Sequence, residues 1–408
     1  MFKNTVLLFV LLLISCGSKI KDESVSNLEI NHQVQDKNSE KITPHIIVGA
    51  NQTETYFPLL QGKRVGIVAN QTSVVFNEKG YSHLVDSLLK FNIDIKKIFS
   101  PEHGFRGTAD AGEHINDDYD VKTKLPIISL HGKTKKPTPE HLDGIDIMIF
   151  DIQDVGVRFY TYLSNLHYVM EASAENNIPL IVLDRPNPNG HYIDGPVLDT
   201  KYKSYVGLHP VPLVYGMTIG EYAQMINGEK WLRNEIQCDL TIISLKNYTH
   251  NTQYSLPIKP SPNLPNDQAI NLYPSLDIFR GTPINVGRGT NYQMQRYGAP
   301  FFPKSDFSYI PKPNVGAKHP RFKGEVCYGI DLSNVPVLNR FTLKFVLDAY
   351  KKTPKNISFF GPTWTVHAGN EILQQQIEQG LSENEIKDSW KKDLDAFKEL
   401  RKQYLIYD

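Results

Sequence analysis

The sequence predicts an α/β protein: a Rossmann-like parallel-sheet domain and a second, C-terminal α/β domain. Two patterns indicate the first domain. Short apolar segments alternate with segments whose apolar residues recur every three or four positions, as on one face of a helix. The short segments are almost continuously apolar, which is typical of parallel strands covered on both faces. A chain of 408 residues has room for two such domains.

The first domain is assigned to residues 45–206, and its elements follow one another in the order that a parallel sheet requires. They are a strand at 64–69, a helix around 84–91, strands at 93–99, 126–130 and 145–150, a helix from 162 to about 177, and a strand at 180–183. In an open sheet of this kind, ligands bind beyond the carboxyl ends of the strands. Polar residues that follow these strands are therefore the first candidates for a functional site.

The second domain is assigned to residues 207–408. Its predicted elements are a helix from 218, a strand at 239–245, a helix at 342–350 and a last helix from 382. The first and last of these helices begin with capping boxes at 218–221 and 382–385, in which side-chain oxygens satisfy free backbone amides. Residues 256–300 are rich in Pro, Gly and Asn, and we expect a long functional loop there rather than a core element.

The N-terminus has the features of an export signal. Lys3 precedes an apolar run at 5–14 that is too short to span a bilayer, and Leu-Ile-Ser-Cys follows, which resembles a bacterial lipobox. Residues 1–16 are therefore predicted to be a lipoprotein signal peptide with Cys16 as the lipid anchor; an ordinary secretory signal is the alternative. Residues 17–44 are polar and are predicted to be a flexible tether. We expect a lipid-anchored protein of the cell envelope, in the periplasm or at the outer membrane.

Charge and composition argue against several classes of partner. Lys plus Arg and Asp plus Glu both number 44, so the net charge is zero and no basic stripe suggests nucleic-acid binding. No Gly-x-Gly-x-x-Gly follows the first strand and no Walker-type loop is present, so we expect no cofactor. Cys238 and Cys327 lack the spacing of a metal site and are expected to be core residues, although an exported protein could pair them.

The most informative segment is Ser-Pro-Glu-His-Gly-Phe-Arg-Gly at 100–107, directly after a predicted strand. Its Glu102 lies near Phe99 and Phe105 in the sequence. Partial desolvation there would keep the carboxyl group protonated, which is the state that a general acid needs. The alternative is a structural role in which Glu102 pairs with Arg106.

A second strand end also carries carboxylates. Asp151 and Asp154 follow the predicted strand at 145–150 and are candidates for the second carboxylate of a glycosidase. One of them could instead cap the helix that follows. Histidine and carboxylate also suit zinc, so His103, His114 and Asp151 form an alternative metal site, although they lack the spacing of helical metal motifs.

Arginines and an asparagine complete the candidates for substrate binding. A guanidinium group binds carboxylates in a bidentate manner and an amide suits sugar hydroxyls, but each could equally be a structural ion-pair or turn residue. The candidates in or beside the predicted loops are Asn70, Arg106, Arg158, Arg185 and Arg288.

Several segments together resemble one known family. They are GIVANQT at 66–72, SPEHGFRG at 100–107, DIQDVGVRFYTY at 151–162, LDRPNP at 183–188, GPVLD at 195–199, HPVP at 209–212, YGMT at 215–218, SPNLP at 261–265 and GRGT at 287–290. In this order they are similar to the NamZ-type exo-β-N-acetylmuramidases, formerly a domain of unknown function. The resemblance covers about residues 45–408.

The resemblance implies an enzyme that removes N-acetylmuramic acid from the non-reducing end of peptidoglycan fragments, in a cleft between a Rossmann-like and a C-terminal domain. It places Glu102 at the position of the family's suspected catalytic glutamate. It also adds Tyr162 and Asn263, which lie within its motifs, to the substrate-binding candidates. One departure is notable: Arg280 stands where the family often has a glutamate. Any role that this glutamate has in other members cannot be carried over to this chain.

We therefore predict that Glu102 is the general acid and that Asp154, or alternatively Asp151, is the second carboxylate. The second carboxylate would act as a base or orient the acetamido group of the substrate, whose oxygen can itself be the nucleophile. His103 would tune Glu102, and the arginines would meet the lactyl carboxylate. Two other functions remain as alternatives to the muramidase. One is a metal-dependent cell-wall esterase or amidase with His103 and Asp151 as ligands, and the other is a non-catalytic lipoprotein that binds muropeptides.

Overall fold

The computed structural model describes residues 45–107 and 117–408, and the contacts of His45–Asp408 form one compact unit. The predicted signal peptide with Cys16, the tether at 17–44 and His114 lie outside the described residues. Within the described ranges, no helix has the length and apolar character needed to cross a membrane.

The elements alternate between strands and helices in the N-terminal half, as the sequence predicts. The strands are β1 (Arg64–Ala69), β2 (Val74–Asn77), β3 (Gly80–His83), β4 (Asp94–Ser100), β5 (Asp118–Tyr119), β6 (Pro126–Ser129), β7 (Ile147–Asp151), β8 (Leu180–Leu183), β9 (Leu240–Ile243), β10 (Arg296–Ala299), β11 (Ser308–Tyr309) and β12 (Cys327–Asp331). The helices are α1 (Thr53–Leu60), α2 (Leu84–Lys90), α3 (Pro139–Leu142), α4 (Tyr162–Glu175), α5 (Ile219–Gly228), α6 (Asp267–Asp277), α7 (Lys344–Lys352), α8 (Trp364–Ala368), α9 (Ile372–Glu378) and α10 (Glu383–Arg401).

Seven strands form one sheet in the order β5-β6-β4-β1-β7-β8-β9. All neighbours in it pair in parallel except β5 and β6. Without the short edge strand β5, the six parallel strands have the order 3-2-1-4-5-6 when they are numbered along the chain. This is the strand order of Rossmann folds that bind dinucleotides. The predicted α/β fold with a Rossmann-like sheet is confirmed.

The central strands are continuously apolar because both faces of the sheet are covered. Every residue of β7 and β8 is buried, and so is β1 from Val65 onward. One face, which includes Ile67 and Ile149, packs against α1 and α2. The other face, which includes Val68 and Phe150, packs against α4 and α5. Sheet and helices therefore bury their apolar residues against each other on both sides.

The C-terminal part combines a three-stranded antiparallel sheet, in the order β10-β12-β11, with helices α7 to α10. Its last helix, α10, begins at the predicted capping box: Ser382 Oγ accepts a hydrogen bond from the Glu385 amide at 3.3 Å. One face of α10 is buried, with Ile386, Trp390, Leu394 and Phe397. These residues belong to the same core as α4 and α5, so one apolar core extends across both parts of the chain.

In two regions the structure differs from the sequence-based assignment. Strand β9 completes the seven-stranded sheet, although it lies beyond the predicted domain boundary at residue 206. Residues 256–300, predicted as a long loop, contain the buried helix α6 and strand β10. Asn271 and Ser275 of α6 are buried because main-chain groups satisfy them: Asn271 Nδ2 donates to the Leu338 carbonyl (2.8 Å), and Ser275 Oγ accepts from the Thr342 amide (3.0 Å).

Both cysteines of the described residues are buried and are not joined in a disulfide. Burial raises the pKa of the Cys238 and Cys327 thiols to about 12. A buried thiol that stays protonated behaves as a small apolar side chain. The prediction that these cysteines are core residues is confirmed.

Candidate active site

A cavity lies between the loop that follows β4, the segment that leads into α4, and the loops on either side of α6. Its lining includes Glu102, His103, Phe159, Tyr160, Thr161, Tyr162, Ser261, Asn263, Tyr273, Arg280 and Arg288. Five predicted site residues therefore lie together: Glu102, His103, Tyr162, Asn263 and Arg288. Because β4 ends at Ser100, the cavity lies beyond the carboxyl edge of the sheet, where ligands of such folds bind.

Glu102 is held on a tight turn that begins as soon as β4 ends. His103 has a φ of 73° and Gly107 also has a φ of 73°, both in the left-handed region. A side chain on Gly107 would meet the Gln71 side chain at 2.8 Å, so this position requires glycine. For His103 the left-handed conformation costs about 1–2 kcal/mol. Strain of this kind persists where surrounding contacts hold the backbone in place.

The contact that holds His103 comes from the other side of the cavity. Its Nε2 lies 3.0 Å from Ser261 Oγ, and Ser261 Oγ also accepts a hydrogen bond from the Asn263 amide at 3.2 Å. The imidazole is buried. The turn that carries Glu102 is thus attached to the segment before α6, about 160 residues further along the chain.

The carboxylate of Glu102 has partners from the segment that leads into α4. Thr161 Oγ1 donates to Glu102 Oε2 at 3.3 Å, and the Tyr162 hydroxyl donates to the main-chain oxygen of Glu102 at 3.4 Å. Asn70 Nδ2 donates in turn to the Tyr162 hydroxyl at 3.0 Å. Burial and then the negative charge of Glu102 raise the pKa of Tyr162, which therefore stays a hydrogen-bond donor at neutral pH. Asn70 consequently positions Tyr162 and does not itself line the cavity.

Aromatic rings form one wall of the cavity. Tyr160 meets Tyr162 edge to face at 4.7 Å, and Phe159 meets Tyr273 in the same manner at 5.4 Å. The Tyr160 hydroxyl donates to the Pro260 carbonyl at 2.8 Å, which attaches this wall to the segment before α6. Such a wall offers an apolar surface to the face of a sugar ring while its hydroxyls remain fixed by protein partners.

Asn263 lines the cavity and has an acceptor that no protein donor satisfies within the described part of the chain. Its Nδ2 donates to the Gly316 carbonyl at 2.8 Å, which fixes the orientation of the amide. Its Oδ1 is buried and has no hydrogen-bond partner among the described residues. Since leaving a buried acceptor unpaired costs about 1–3 kcal/mol, a ligand N–H or hydroxyl at this point would recover that energy.

Two guanidinium groups, those of Arg280 and Arg288, make one part of the lining cationic. Arg280 is about half exposed, and its Nε lies 3.5 Å from Asp277 Oδ2. Burial and then the positive charge of Arg280 lower the pKa of Arg288, so the two guanidinium groups repel each other. The Nε of Arg288 is buried without a hydrogen-bond partner among the described residues. This pair of cations is therefore suited to an anionic ligand.

Asp154, predicted as the second catalytic carboxylate, is not among the residues that line the cavity. It is 3% exposed, and its Oδ2 accepts hydrogen bonds from the Tyr215 hydroxyl and, at 2.7 Å, from the Gly156 amide. Burial raises its pKa to about 6. The structure therefore places Asp154 as a buried partner of the 154–156 turn rather than at the surface of the cavity.

Asp151 and Arg185 form a buried ion pair with each other. Arg185 Nε and Nη2 donate to the two carboxylate oxygens of Asp151 at 2.6 and 2.9 Å, and Nη2 also donates to the Val74 carbonyl at 3.0 Å. Neither residue lines the cavity. The predicted contact of these two residues with substrate is replaced by a structural contact that joins β7, the loop after β8, and β2.

Arg158 and Arg106 likewise have structural partners and do not line the cavity. Arg158 donates to the main-chain carbonyls of Pro196, Val211, His367 and Ala368, at 2.7 to 3.2 Å. Arg106 binds Asp120 at 2.9 Å and Asp86 at 3.4 Å, and it stacks on the Phe105 ring. We therefore assign neither arginine a contact with substrate. The alternative pairing of Arg106 with Glu102 is also not seen, since Arg106 pairs with aspartates.

The alternative zinc site is not supported by the donors that the structure describes. Asp151 is fully engaged with Arg185, and His103 Nε2 lies against Ser261. Among the described residues, no three His, Cys, Asp or Glu side chains are placed to share a metal ion. His114, the third residue of that prediction, lies outside the described residues.

Comparison with known proteins identifies the family. The N-terminal domain of the exo-β-N-acetylmuramidase NamZ matches residues 65–268, and the C-terminal domain of the same enzyme matches residues 271–407. The chain belongs to the NamZ family. Membership of the NamZ family makes it a glycoside hydrolase, as the sequence predicted. The two domain matches meet near residue 270, so strand β9 falls within the NamZ N-terminal domain.

Individual proteins are also similar over most of the chain. The peptidoglycan β-N-acetylmuramidase NamZ of Bacillus subtilis (strain 168) is 40% identical, over 86% of this chain and 89% of that protein. A DUF1343 family protein from Bacteroides fragilis NCTC 9343 has a crystal structure with a TM-score of 0.82 at 45% identity, covering 90% of this chain and 99% of that one. A second DUF1343 family protein from the same strain gives a TM-score of 0.75 at 29% identity, covering 90% and 100%.

The cavity also contains residues that the sequence did not single out as functional. They are Thr161, Ser261 and Tyr273, which line it, and Asp277, which pairs with the lining residue Arg280. Thr161 and Ser261 lie inside the motifs of the family resemblance, which is the signal that pointed to their neighbours. Asp277 lies three residues before Arg280, and this spacing of opposite charges on a helical turn is the one local sign of their pairing.

Proposed function

We propose that this chain is an exo-acting β-N-acetylmuramidase that releases N-acetylmuramic acid from the non-reducing end of peptidoglycan fragments, with Glu102 as its general acid. The observation that carries this proposal is the position of Glu102. Among the described residues that line the cavity, it supplies the only carboxylate, and Thr161 holds it. The B. subtilis relative acts as a peptidoglycan β-N-acetylmuramidase, so the proposed substrate is that of a protein 40% identical.

Glycoside cleavage requires a proton for the leaving oxygen as the bond breaks. A carboxyl group on a strained turn, fixed by Thr161 and by its own main-chain contact with Tyr162, can deliver that proton in a defined direction. We assign His103 a positioning role, since its contact with Ser261 holds the turn. The His103 imidazole thereby fixes the neighbouring residue, Glu102, without itself transferring a proton.

Recognition of the sugar follows from the groups that are not satisfied by protein partners. The lactyl carboxylate of N-acetylmuramic acid is suited to Arg288 and Arg280. The buried Oδ1 of Asn263 is suited to the N–H of the 2-acetamido group. Fixing that N–H would also orient the acetamido oxygen, which acts as the nucleophile in substrate-assisted glycosidases.

The proposed role of Asp154 is indirect. A second carboxylate that acts as base must reach the substrate, whereas Asp154 is buried and accepts hydrogen bonds from Tyr215 and Gly156. The φ of Gly156 is 76°, and a side chain there would collide with the Asn187 amide at 2.3 Å. We propose that Asp154 stabilises this turn, which leads into the aromatic wall at 159–162.

The activity is tested with chromogenic N-acetylmuramide and N-acetylglucosaminide, side by side. The proposal expects release of the chromophore from the N-acetylmuramide and at least about tenfold less from the N-acetylglucosaminide, which lacks the lactyl carboxylate. Binding of both sugars without release would instead favour a non-catalytic muropeptide-binding protein. Loss of activity with a chelator and recovery with zinc would favour the metal-dependent alternative.

We also propose that Cys16 carries a lipid that anchors the protein in the cell envelope. The support is the short apolar run at 5–14 and the Leu-Ile-Ser-Cys that follows it. The test is fractionation of cells that express the full chain. Wild-type protein is expected in the membrane fraction, and Cys16→Ser should move it out of that fraction, because acyl chains supply most of the membrane affinity. Membrane retention of the Ser variant would contradict the anchor.

A further inference from the structure

The cavity that contains Glu102 is small. Its volume is about 60 Å³, whereas sites that enclose a whole small molecule begin at about 300 Å³. Arg280 and Arg288 also line a neighbouring cavity of about 580 Å³, so there is room for a sugar ring on the arginine side. The small cavity therefore admits one substituent of a sugar, while the ring itself stays outside it.

One hydroxyl group in the lining of the small cavity is left for a ligand. Five lining residues carry a side-chain hydroxyl, and four of these have hydrogen-bond partners in the protein: Tyr160, Thr161, Tyr162 and Ser261. The fifth is Tyr273, and no partner for its hydroxyl lies within the described part of the chain. Tyr273 is only 7% exposed. Since a buried polar group without a partner is unfavourable, a ligand acceptor beside this hydroxyl would stabilise the complex.

The Tyr273 hydroxyl is a donor at neutral pH. Burial, and then the negative charge of Asp277, raise the pKa of Tyr273 well above its ordinary value, so the hydroxyl keeps its proton. Its ring is fixed by edge-to-face contacts with Phe159 at 5.4 Å and with Tyr160 at 5.9 Å. A fixed, neutral donor of this kind is suited to an uncharged acceptor such as a carbonyl oxygen.

The other lining groups complement an acetamido group. Such a group has one N–H, one carbonyl oxygen and one methyl group. Asn263 Oδ1 is an acceptor without a protein donor in the described ranges, and it suits the N–H. Leu264 and Met294 line the cavity as buried apolar side chains and suit the methyl group. With Tyr273 for the carbonyl oxygen, each part of the acetamido group has a counterpart.

The substituents beside the acetamido group match the groups beside Tyr273. In a muramyl residue, the ring carbon that carries the acetamido group has two neighbours: the anomeric carbon, which carries the scissile oxygen, and the carbon that carries the lactyl group. The charges of Arg280, Arg288 and Glu102 all act on the Tyr273 hydroxyl. This hydroxyl is therefore close both to the proposed acid and to the arginine pair proposed for the lactyl carboxylate.

We propose that the small cavity is the pocket for the 2-acetamido group of the substrate, in which the Tyr273 hydroxyl donates a hydrogen bond to the acetamido oxygen and Asn263 Oδ1 accepts one from the N–H. The inference rests on the proposed muramidase function and deepens it, since it names the residues that select the 2-acetamido group. Tyr273 keeps its proton throughout and forms no covalent bond. It holds the acetamido oxygen in one orientation, beside the anomeric carbon.

The experiment measures binding of two ligands: N-acetylmuramic acid, and an analogue in which a hydroxyl group replaces the 2-acetamido group. Tyr273→Phe removes the hydroxyl and keeps the ring that packs on Phe159. Its Kd for N-acetylmuramic acid is expected to rise about tenfold, and its Kd for the analogue should equal that of the wild type. Tyr81→Phe, which changes an exposed tyrosine on β3 outside the cavity, should leave both Kd values unchanged. Titration calorimetry gives all of these values.

A second measurement tests how closely the pocket encloses the acetamido group. The wild type is assayed with chromogenic muramides that carry either an N-acetyl or an N-butanoyl group. Because the buried walls leave no room for further methylene groups, kcat/KM should be at least about tenfold lower for the N-butanoyl substrate. Met294→Ala widens the pocket and should reduce that difference. Equal kcat/KM for the two substrates in the wild type would contradict the enclosure.

Three binding results would overturn the role of Tyr273. Equal weakening of both ligands in Tyr273→Phe would assign the hydroxyl a structural role. Unchanged affinity of that variant for N-acetylmuramic acid would remove the hydrogen bond, and a wild type that does not bind N-acetylmuramic acid would remove the pocket. Failure of the muramidase proposal gives a different result, since the wild type would then release no chromophore from either muramide. The Kd values do not depend on turnover and still decide the role of Tyr273 in that case.

Discussion

His103 Nε2 lies 3.0 Å from Ser261 Oγ, and this contact joins the turn that carries Glu102 to the segment before α6. The two residues are 158 positions apart in the sequence, and His103 has left-handed backbone geometry. Glu102, the proposed general acid, is therefore positioned by a contact between parts of the chain that belong to different predicted elements. The orientation of Glu102 depends on the fold as a whole and not on its own turn alone.

Ser261→Ala should impair positioning without removing any group proposed to touch the substrate. It deletes the contact with His103 and the acceptor for the Asn263 amide, so we expect a loss of about 1 kcal/mol in unfolding free energy. We also expect kcat to fall roughly tenfold because the acid is less well aligned. Urea unfolding and steady-state kinetics measure the two effects. Ser305→Ala, on an exposed loop, is the matched control; kcat equal to that control would rule out the positioning role.

Glu102→Gln should abolish turnover while the fold remains intact. Glutamine keeps the shape and can still accept the hydrogen bond from Thr161, but it cannot donate the proton to the leaving oxygen. A loss of about 100-fold or more in kcat is expected, as is typical of a general acid. Circular dichroism and thermal unfolding should match the wild type. Glu378→Gln, on the surface of α9, controls for loss of a glutamate elsewhere. Near-normal turnover would remove Glu102 from the mechanism.

Arg288→Gln and Arg185→Gln should separate substrate binding from structure. Arg288 lines the cavity without a carboxylate partner among the described residues, so its loss should raise KM about tenfold and leave the melting temperature close to wild type. Arg185 pairs with buried Asp151, and its loss leaves an uncompensated charge, which costs about 3–5 kcal/mol of stability. Melting curves of both variants measure the effect on stability, and their KM values measure the effect on substrate binding. A raised KM in a fully stable Arg185→Gln would return Arg185 to the substrate-binding set.

The sequence predicted the sheet well because each central strand is buried on both faces and therefore uniformly apolar. It also predicted the location of Glu102, because a carboxylate directly after a strand lies at the edge where ligands bind. The same reasoning was insufficient for Asp151. It too follows a strand, but its partner Arg185 is 34 residues away and satisfies it inside the protein. A local sequence pattern predicts that a charged residue lies at the carboxyl edge of the sheet. Only the fold shows whether that charge is already paired inside the protein.

The C-terminal side of the cavity was harder to predict for a related reason. Helix α6 contains Asn271, Ser275 and Pro274, so its composition is that of a loop, yet it is buried because main-chain groups elsewhere satisfy its polar side chains. Asp277 is the last residue of this helix, and Arg280 lies three residues further on. Their pairing across one turn therefore depends on the helix being formed. Tertiary hydrogen bonds outweighed local propensity here.

The last prediction concerns pH and Asp154. Burial raises the pKa of Asp154 from 3.8 to about 6, so the native state binds this proton more tightly than the unfolded state does. The stabilising contribution of the protonated carboxyl is complete below about pH 4 and is lost as the pH rises through about 6. Asp154→Asn cannot ionise and avoids this loss, and its amide oxygen can still accept from Tyr215. Its unfolding free energy relative to wild type should therefore increase by roughly 3 kcal/mol between pH 4 and pH 7.

Urea unfolding of both proteins at several pH values gives this difference directly, because the titration of all other groups cancels in the subtraction. Asp393→Asn, which removes an exposed aspartate on α10, is the matched control for the loss of an aspartate elsewhere. The same Asp154→Asn protein also separates the two roles of Asp154 at neutral pH. If Asp154 only supports the 154–156 turn, kcat of the variant should fall by less than about tenfold. If Asp154 is a base in contact with substrate, kcat should fall about 100-fold or more. The larger loss, in a variant of unchanged stability, would restore Asp154 as the second catalytic carboxylate.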